Sequence, residues 1–520
     1  MSNNRYSDNF ISKHGYRIVL FLILIVGIAV RFIGIVSIPD GLNQDEAYAA
    51  YEAYSILHYG TDSWGYTLPV YLTTWGSGMS IMNAYLMIPF IALMGTSVLA
   101  VRLPQVILGV ITLIYFYKLF KLIFPDNRKA AIVALFVLAI NPWHILMCRW
   151  ALDCNMAPGF CLIAFYYFCK GVERPKFFIL SAIFYGLTLY CYALTWVLVP
   201  IILLLQIAYL LIVKKIHSDK YILFSLFILL IMGLPLILFN LVNSGRIPEI
   251  RTALFSIPKM PLYRSSEVGI GHRKERLIGF ISSVIGQDDG CIWNYAGKYG
   301  LYYGIGLVLS AIGAISVFVK GIKSILSRRY SPEVMILIPI PICVVLASLM
   351  DATFSKMNFI HLPIIAFGVI GIETLVHFVR NNKVLACIYG IGALGGFILF
   401  ASFEKYYFGE YRELIAGNFK SGFSACLEYS ESIRTDERIY VNDYSSHPVV
   451  LFYEHVPVSD EGLVKCRNEG IAASSFSHYA FDPEEALEGD ICILCTSYLP
   501  GWYSEDMALF TDGVYVVCRK

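Results

Sequence analysis

The stretch IVLFLILIVGIAVRFIGIVSIPDGLNQDEAY, residues 18–48, places a long apolar run directly before a polar segment that carries an acidic pair. A helix needs about 20 apolar residues to cross a bilayer, and 18–38 supplies them. The run contains Arg31 and is not followed by a small-residue cleavage site. We therefore interpret it as a retained helix and not as a signal peptide.

Composition extends this reading to the whole chain. The 520 residues are 57% hydrophobic and 15% charged, with a mean hydropathy of +0.64, whereas soluble proteins contain about 45–50% apolar and about 25% charged residues. Lys and Arg number 40 against 38 Asp and Glu, a net charge of +2. The protein is thus predicted to be an integral membrane protein without the basic field that nucleic acids require. Neither a metal site nor a cofactor is predicted, because the His and Cys residues lack ligand spacing.

Apolar runs separated by basic loops predict an α-helical polytopic protein of about eleven crossings with a cytoplasmic amino terminus. An odd number of crossings places the carboxyl terminus outside. The short apolar segment 81–95 is predicted to lie in the interface, because counting it as a crossing would place a basic loop outside. The predicted crossings are 18–38, 101–123, 130–147, 155–170, 177–193, 196–213, 221–240, 301–319, 333–350, 361–379 and 384–402.

Two domains are predicted. Residues 1–402 form the transmembrane domain, with long outer loops at 39–100 and 240–299, and loops of that length are usually functional. Residues 403–520 are more polar and contain the strand-like words RIYV, VVLFY, DICILC and VYVVC. They predict a small extracytoplasmic α/β domain.

The acidic pair of Asp45 and Glu46 opens the first outer loop. A helix beginning near Asn43 would have an apolar face lying on the membrane. That face would consist of Ala47, Ala50, Tyr51 and Tyr54. Two interpretations stay open: the carboxylates satisfy free N–H groups in the first helical turn, or one of them is catalytic at the membrane surface.

A second feature, CRWALDCN, places Arg149 and Asp153 at the outer end of the third predicted crossing. Residues four apart lie on one face of a helix, so the two can form a structural salt bridge. Their position on the same outer surface as the acidic pair also makes them candidates for a shared site.

Together these motifs resemble those of the GT-C glycosyltransferases. The resemblance is to the branch of protein O-mannosyltransferases, aminoarabinose transferases and related bacterial transferases that use polyprenyl-phosphate sugars. The resemblance is carried by the DE pair, by RLPQVILG from Arg102 to Gly109, and by CRWALD. It implies a multi-span bundle whose first outer loop forms the active site at the external surface. The chain departs from the family at residues 67–70, where TLPV replaces a KPPL-like word and lacks its lysine.

The resemblance also implies roles for individual residues. Asp45 is the implied base, Glu46 its acidic neighbour, and Asp153 matches the second acidic position. Arg149 matches an arginine associated with the site. A base that takes the acceptor proton and a cation near the leaving phosphate suit this chemistry.

Other candidates follow from position and residue type. Arg31 and Arg102 join Arg149 as candidates for binding the donor phosphate, because all three lie near outer ends of crossings. The aromatic residues of the first outer loop could be either sugar-binding platforms or interfacial anchors. A motif in the last outer loop that is similar to one of the family adds two polar side chains. These possible substrate-binding residues are Trp64, Tyr66, Trp75, Asn358 and His361.

The sequence thus predicts a plasma-membrane (inner-membrane) glycosyltransferase of the cell envelope with an extracytoplasmic active site. It would transfer one hexosyl or pentosyl unit, with inversion, from a polyprenyl phosphate to a hydroxyl of a protein, glycolipid or cell-wall glycopolymer. Its partners would be the donor, the acceptor and membrane lipids. The alternatives are a lipid-linked sugar transporter or flippase, for which the nearly charge-free crossings offer little support, and a non-catalytic envelope assembly protein.

One structural prediction tests the mechanism directly. The carboxylates of Asp45 and Asp153 and the guanidinium of Arg149 should converge at the outer surface.

Overall fold

The computed structural model describes residues 13–216, 219–263, 269, 271–469 and 475–520. Residues 1–12 lie outside this part of the chain. Within it the structure is mainly helical. The helices are α1 Lys13–Phe32, α2 Gln44–Tyr59, α3 Met82–Met94, α4 Val98–Ile123, α5 Arg128–Ala139, α6 Pro142–Cys148, α7 Ala157–Glu173, α8 Phe177–Thr188, α9 Thr195–Ile212, α10 Lys220–Asn243, α11 Arg273–Gly286, α12 Tyr303–Ser327, α13 Pro339–Leu349, α14 His361–Val376, α15 Asn382–Phe408, α16 Glu410–Leu414, α17 Phe423–Ile433, α18 His447–Tyr453 and α19 Glu461–Glu469.

Eight of the described helical segments are long and apolar enough to cross a membrane, and α5 with α6, bent by 59°, makes a ninth if the pair is one broken span. The eight contain α1, α4, α9, α10, α12, α13, α14 and α15. Helices also occupy the other predicted crossings, but α7 has 17 residues and α8 only 12. The prediction of eleven crossings is therefore not confirmed, because these two are short against the roughly 20 residues that a bilayer requires.

The short apolar segment after the first outer loop is helix α3, with 13 residues. Its bounds agree with the predicted 81–95. At this length it is too short to cross a bilayer, and its place in the membrane interface stays a prediction.

The chain after α15 holds a six-stranded mixed sheet with α17, α18 and α19. The strand order is β4-β5-β3-β6-β8-β7, with β3 parallel to β5 and β6 and with β8 antiparallel to its two neighbours. These strands are β3 Ile439–Val441, β4 Ser475–Phe476, β5 Tyr479–Ala480, β6 Ile491–Cys495, β7 Ala508–Asp512 and β8 Tyr515–Arg519. A two-stranded ribbon in the second outer loop pairs β1 Ile250–Arg251 with β2 Ser256–Ile257.

Three of the four predicted strands are present, but VVLFY is wrong as a strand and forms the body of α18 instead. Pro448 stands in its first turn, where a missing N–H costs nothing. The helix is buried all round, so its apolar run lacks the one-sided pattern that would have identified it. The division of the chain at residue 403 stays a prediction, and α15 continues to Phe408.

Helix α2 packs on this carboxyl-terminal segment. Ala47, Ala50 and Tyr51 are fully buried in an apolar cluster that they share with the sheet and α18. The Tyr51 hydroxyl donates to the carbonyl of Val456 at 2.7 Å. The prediction that this face lies on the membrane is therefore wrong, because it covers protein.

Helices α12 and α14 pack backbone to backbone. A Cβ atom at Gly313 would lie 1.8 Å from the Phe367 carbonyl oxygen, and one at Gly371 would lie 2.0 Å from that of Leu309. The Ser310 hydroxyl donates across the interface to the carbonyl of Ile364 at 2.7 Å. Small residues of this kind let membrane helices approach closely.

We expect Gly371→Ala to destabilise the protein by about 1–3 kcal/mol, because the added methyl group forces α12 and α14 apart. The thermal unfolding midpoint in detergent measures the change. Gly390→Ala on α15 is the matched control, since a Cβ there meets no atom within 4 Å and only the gain in helix propensity remains. Equal midpoints for the two variants would contradict the close packing.

Candidate active site

Helix α2 begins with a capping box that separates the two members of the acidic pair. The Asn43 side chain accepts from the backbone N–H of Asp45 at 3.0 Å, and Glu46 accepts from the backbone N–H of Asn43, also at 3.0 Å. Glu46 thus meets the need of the first helical turn for a carboxylate. The N-x-x-E spacing carries this signal in the sequence.

Glu46 and Arg102 form a fully buried ion pair with two N–H···O contacts, at 3.0 and 3.1 Å. Arg102 also donates to the carbonyls of Ile35, Pro39 and Gly41. These bonds use all five guanidinium N–H groups. The prediction that Arg102 binds the donor phosphate does not fit this geometry, because no donor is left.

Both carboxylate oxygens of Glu46 are likewise occupied by hydrogen bonds within the protein. Besides Arg102 and its own helix, it accepts from the backbone N–H of Ala151 at 2.6 Å. Its side chain is fully buried. The geometry gives Glu46 a positioning role and leaves it no face for substrate, which corrects its place among the predicted catalytic residues.

The other two predicted phosphate ligands are also buried inside the bundle. Arg31 donates to the carbonyls of Gly27, Leu138 and Ala139 and contacts His144 at 2.6 Å. This network lies among α1, α5 and α6, and Arg31 is fully buried. Its assignment to phosphate does not fit the structure.

The guanidinium of Arg149, also fully buried, makes its hydrogen bonds with the carbonyls of Val30 and Ile38 and with the Tyr407 hydroxyl. Arg149 ends α6 and Asp153 begins a separate short turn, so the two do not share a helical face. The predicted convergence therefore holds only for the carboxylates, and Arg149 instead ties α6 to α1 and α15.

Asp45 and Asp153 are joined by one loop. The Trp75 indole N–H donates to Asp45 at 3.2 Å, and the backbone N–H of Ser80 donates to Asp153 at 3.4 Å. The loop is closed by reciprocal bonds between Leu72 and Met79, of 2.9 and 3.0 Å. The two half-buried carboxyl groups thus face one polar segment, 73–80.

This loop carries the feature that the sequence analysis missed. The hydroxyl oxygens of Thr73, Thr74 and Ser77 are buried and have no hydrogen-bond partner among the described residues, and the same is true of the Asn83 amide oxygen just beyond. Buried polar groups are usually satisfied, so a local concentration of unsatisfied ones calls for an explanation. The signal in the sequence is the word TTWGSGMS.

Burial, with the negative charge of Asp45 nearby, raises the pKa of Asp153 to about 7. Two buried carboxyl groups close to each other cannot both ionise readily. Near neutral pH Asp153 can therefore hold or release a proton beside Asp45.

The predicted aromatic residues separate into two groups. Trp75 contacts Asp45, and Trp64 lines a cleft beside it. Tyr66 is buried and donates to Glu249 at 2.9 Å, with the Arg251 guanidinium 4.2 Å from its ring centre. Tyr66 therefore joins the two long outer loops, and this contact leaves it buried and away from the open cleft.

Asn358 and His361 lie in the interior. Asn358 donates to the side chain of Asn155 at 3.1 Å and accepts from Trp143 at 3.2 Å. His361 contacts the Tyr302 hydroxyl and, at 3.1 Å, the carbonyl of Phe354. Both side chains are buried. Asn358 supports the segment after Asp153, whereas His361 holds Tyr302 and Phe354. Substrate contact by either residue stays a prediction.

A buried carboxyl pair, Glu52 and Asp62, also escaped the sequence analysis. Glu52 accepts from the backbone and the hydroxyl of Ser63, at 2.7 and 2.5 Å. Asp62 accepts from the backbone N–H groups of Trp64 and Tyr66. Burial raises the pKa of Glu52 to about 8 and that of Asp62 to about 7. The pair shapes the loop that presents Trp64.

Comparisons with known proteins agree with this architecture. Residues 79–239 match the family model of dolichyl-phosphate-mannose-protein mannosyltransferases. The chain is similar to ArnT from Cupriavidus metallidurans bound to undecaprenyl phosphate, with a TM-score of 0.58 and 12% identity, and to its apo state, with 0.55 and 13%; each match covers 96% of this chain and 97% of the other. AglB, an oligosaccharyltransferase from Archaeoglobus fulgidus in complex with an inhibitory peptide and a dolichol-phosphate, gives a TM-score of 0.52 and 11% identity over 93% of this chain and 69% of the other.

The fold is therefore that of the GT-C membrane glycosyltransferases. The predicted resemblance to the aminoarabinose and O-mannosyltransferase branch is confirmed. The comparison with curated proteins gives no match.

The raised pKa of Asp153 predicts a pH-dependent stability. Between the ordinary carboxyl value of 3.8 and about 7 the folded protein holds a proton that the unfolded chain has released. Its stabilising effect is thus complete at low pH and is lost as the pH rises through this window. We expect Asp153→Asn to make the thermal midpoint fall less steeply with rising pH over the same range.

Asp288 is exposed, so Asp288→Asn is the control for this measurement. Its thermal midpoint should change with pH as steeply as that of the wild type. Glu52 and Asp62 act in the same direction, so part of the slope remains in Asp153→Asn. An unchanged slope in Asp153→Asn would rule out proton uptake by this carboxyl group.

Proposed function

We propose that this protein is an inverting glycosyltransferase that transfers one monosaccharide from a polyprenyl phosphate to an acceptor hydroxyl at the outer membrane face. One observation carries the proposal: Asp45 and Asp153 flank a loop, 73–80, that holds buried and unsatisfied hydroxyl groups. Carboxyl groups and hydroxyls converging in this way suit proton transfer next to a sugar.

In the proposed reaction Asp45 is the base. Its carboxylate takes the proton of the acceptor hydroxyl while that oxygen attacks the anomeric carbon. The bond from this carbon to the phosphate oxygen breaks, and polyprenyl phosphate leaves with its electron pair. A single displacement inverts the anomeric centre, so no second carboxylate is required as nucleophile.

Asp153 is proposed to assist Asp45. Being readily protonated near neutral pH, it can hold a hydrogen bond to the acceptor or the sugar without adding a second negative charge. The negative charge of Asp45 is one cause of the raised pKa of Asp153.

The sugar-phosphate head of the donor is proposed to bind at loop 73–80, because Arg31, Arg102 and Arg149 are buried and hydrogen-bonded to other parts of the protein. The hydroxyls of Thr73, Thr74 and Ser77 are available as donors to sugar or phosphate oxygens. They take the place of the lysine that TLPV lacks. Preorganised donors at a departing anion are a major source of catalysis.

The comparisons support the donor class. The ArnT structure is bound to undecaprenyl phosphate and the AglB structure to a dolichol-phosphate, so both folds accommodate polyprenyl phosphates. We propose the same class for this chain, without a cofactor. We further propose an inner-membrane location, a cytoplasmic amino terminus and an outer carboxyl-terminal domain.

We expect Asp45→Asn to lower transfer about 10²- to 10⁴-fold, the usual contribution of a general base. The assay supplies purified protein in lipid with labelled polyprenyl-phosphate sugars and crude envelope acceptor. Asp288→Asn, an exposed carboxylate of the second outer loop, should keep full activity. Transfer that persists in Asp45→Asn would remove Asp45 as base, and no turnover of any donor by the wild type would favour transport or a non-catalytic role.

Thr74→Val tests the donor loop. Valine keeps the shape of threonine and removes a hydroxyl that has no hydrogen-bond partner among the described residues, so thermal stability should hold or rise. The KM for the donor should increase about tenfold, the equivalent of one lost hydrogen bond. A lower midpoint with an unchanged donor KM would instead make the hydroxyl a structural element.

A further inference from the structure

A cleft with aromatic walls lies beside the candidate active site. Tyr48, Trp64 and Trp75 line it from α2 and the first outer loop, and His447 and Arg467 line it from α18 and α19. The ring centres of Trp75 and His447 are 4.8 Å apart, and those of Tyr48 and Trp75 are 5.3 Å apart. The carboxyl-terminal segment therefore supplies one wall of the cleft, and the first outer loop, which includes loop 73–80, supplies the other.

Trp75 connects the cleft to the chemistry. One side of its indole lines the cleft while its N–H donates to Asp45 at 3.2 Å. Its backbone has a φ of 55°, a conformation that costs energy in any residue but glycine and that often marks functional positions. A ligand in the cleft would thus lie one ring away from the proposed base.

The polar groups of the cleft suit hydroxyl ligands. His447 donates through Nδ1 to the carbonyl of Tyr444 at 3.0 Å, and its burial lowers its pKa to about 4. The ring is therefore neutral, and Nε2 is left as an acceptor. Arg467 donates through Nη2 to the carbonyl of Val458, and its remaining N–H groups have no hydrogen-bond partner in the described part of the chain. Donors and acceptors between aromatic faces match the alternating hydroxyl edges and apolar faces of a sugar.

We propose that this cleft binds a saccharide unit of the acceptor, which makes the acceptor a glycan or glycolipid. This inference rests on the proposed function. The lining residues come from α2, the first outer loop, α18 and α19, and not from the helices that are long enough to cross a membrane. The cleft therefore suits the water-exposed partner of the reaction better than the lipid-linked donor.

The test compares Trp64→Ala and Arg467→Gln with wild type in two assays. Tryptophan fluorescence measures binding of neutral gluco-, manno- and galacto-tetrasaccharides and of a hexuronate oligosaccharide. Kinetics give the KM values for acceptor and donor, together with the slow release of sugar from the donor without acceptor. Lys465→Gln, an exposed cation on the same helix, is the matched control, and Trp64→Phe should restore binding.

We expect at least one of these saccharides to bind wild type and each lining variant to bind it about tenfold more weakly. The acceptor KM should rise by a similar factor, while the donor KM and the Asp45-dependent release of sugar stay unchanged. Lys465→Gln should behave as wild type. Because Trp64 and Arg467 lie on separate elements, misfolding of one variant does not remove the test.

Several results would overturn the proposal. Absence of saccharide binding, or equal binding by the lining variants, would show that the cleft is not a sugar site. A rise in the donor KM alone would assign the cleft to the donor sugar. Saccharide binding without Asp45-dependent donor release would reject the transferase, and with it the acceptor role, while leaving a saccharide site.

Discussion

The buried ion pair between Glu46 and Arg102 fixes the position of everything around the candidate site. Arg102 on α4 holds three carbonyls of the segment between α1 and α2, and Glu46 holds the N–H of Ala151. One pair thus locks the first outer loop to the turn that carries Asp153. Removing one partner of such a pair typically costs about 3–5 kcal/mol, because the other charge is left buried and alone.

The same constraint explains why the two adjacent acidic residues differ in role. Glu46 is used by the capping box and the ion pair, which leaves Asp45 at the start of α2 facing Trp75. Loop 73–80 contacts Asp45 through Trp75 and Asp153 through Ser80, and it also carries the unsatisfied hydroxyls. A folded protein normally gives its buried polar groups hydrogen-bond partners. The hydroxyls of this loop lack such partners among the described residues and are therefore available to a ligand.

The carboxyl-terminal segment is part of this arrangement. Its helix α18 and the sheet share an apolar core with α2, and His447 and Arg467 complete the cleft next to Trp75. The first outer loop is therefore held from two sides, by α4 below and by the sheet segment beside it. Rigid elements on both sides suit a site that must hold groups within fractions of an ångström.

The sequence by itself determined the membrane class, most helix positions and the Asp45 and Asp153 pair, because hydrophobic runs and short motifs are local properties of the chain. It misassigned Arg31, Arg102 and Arg149, since a guanidinium that binds phosphate and one that binds carbonyls look alike in a sequence. It also read VVLFY as a strand, because a fully buried helix has no polar face. Only the tertiary structure decided these points, along with the burial of Thr74 and the partners of Glu52 and Arg467, because contacts between residues far apart in the chain leave no local pattern.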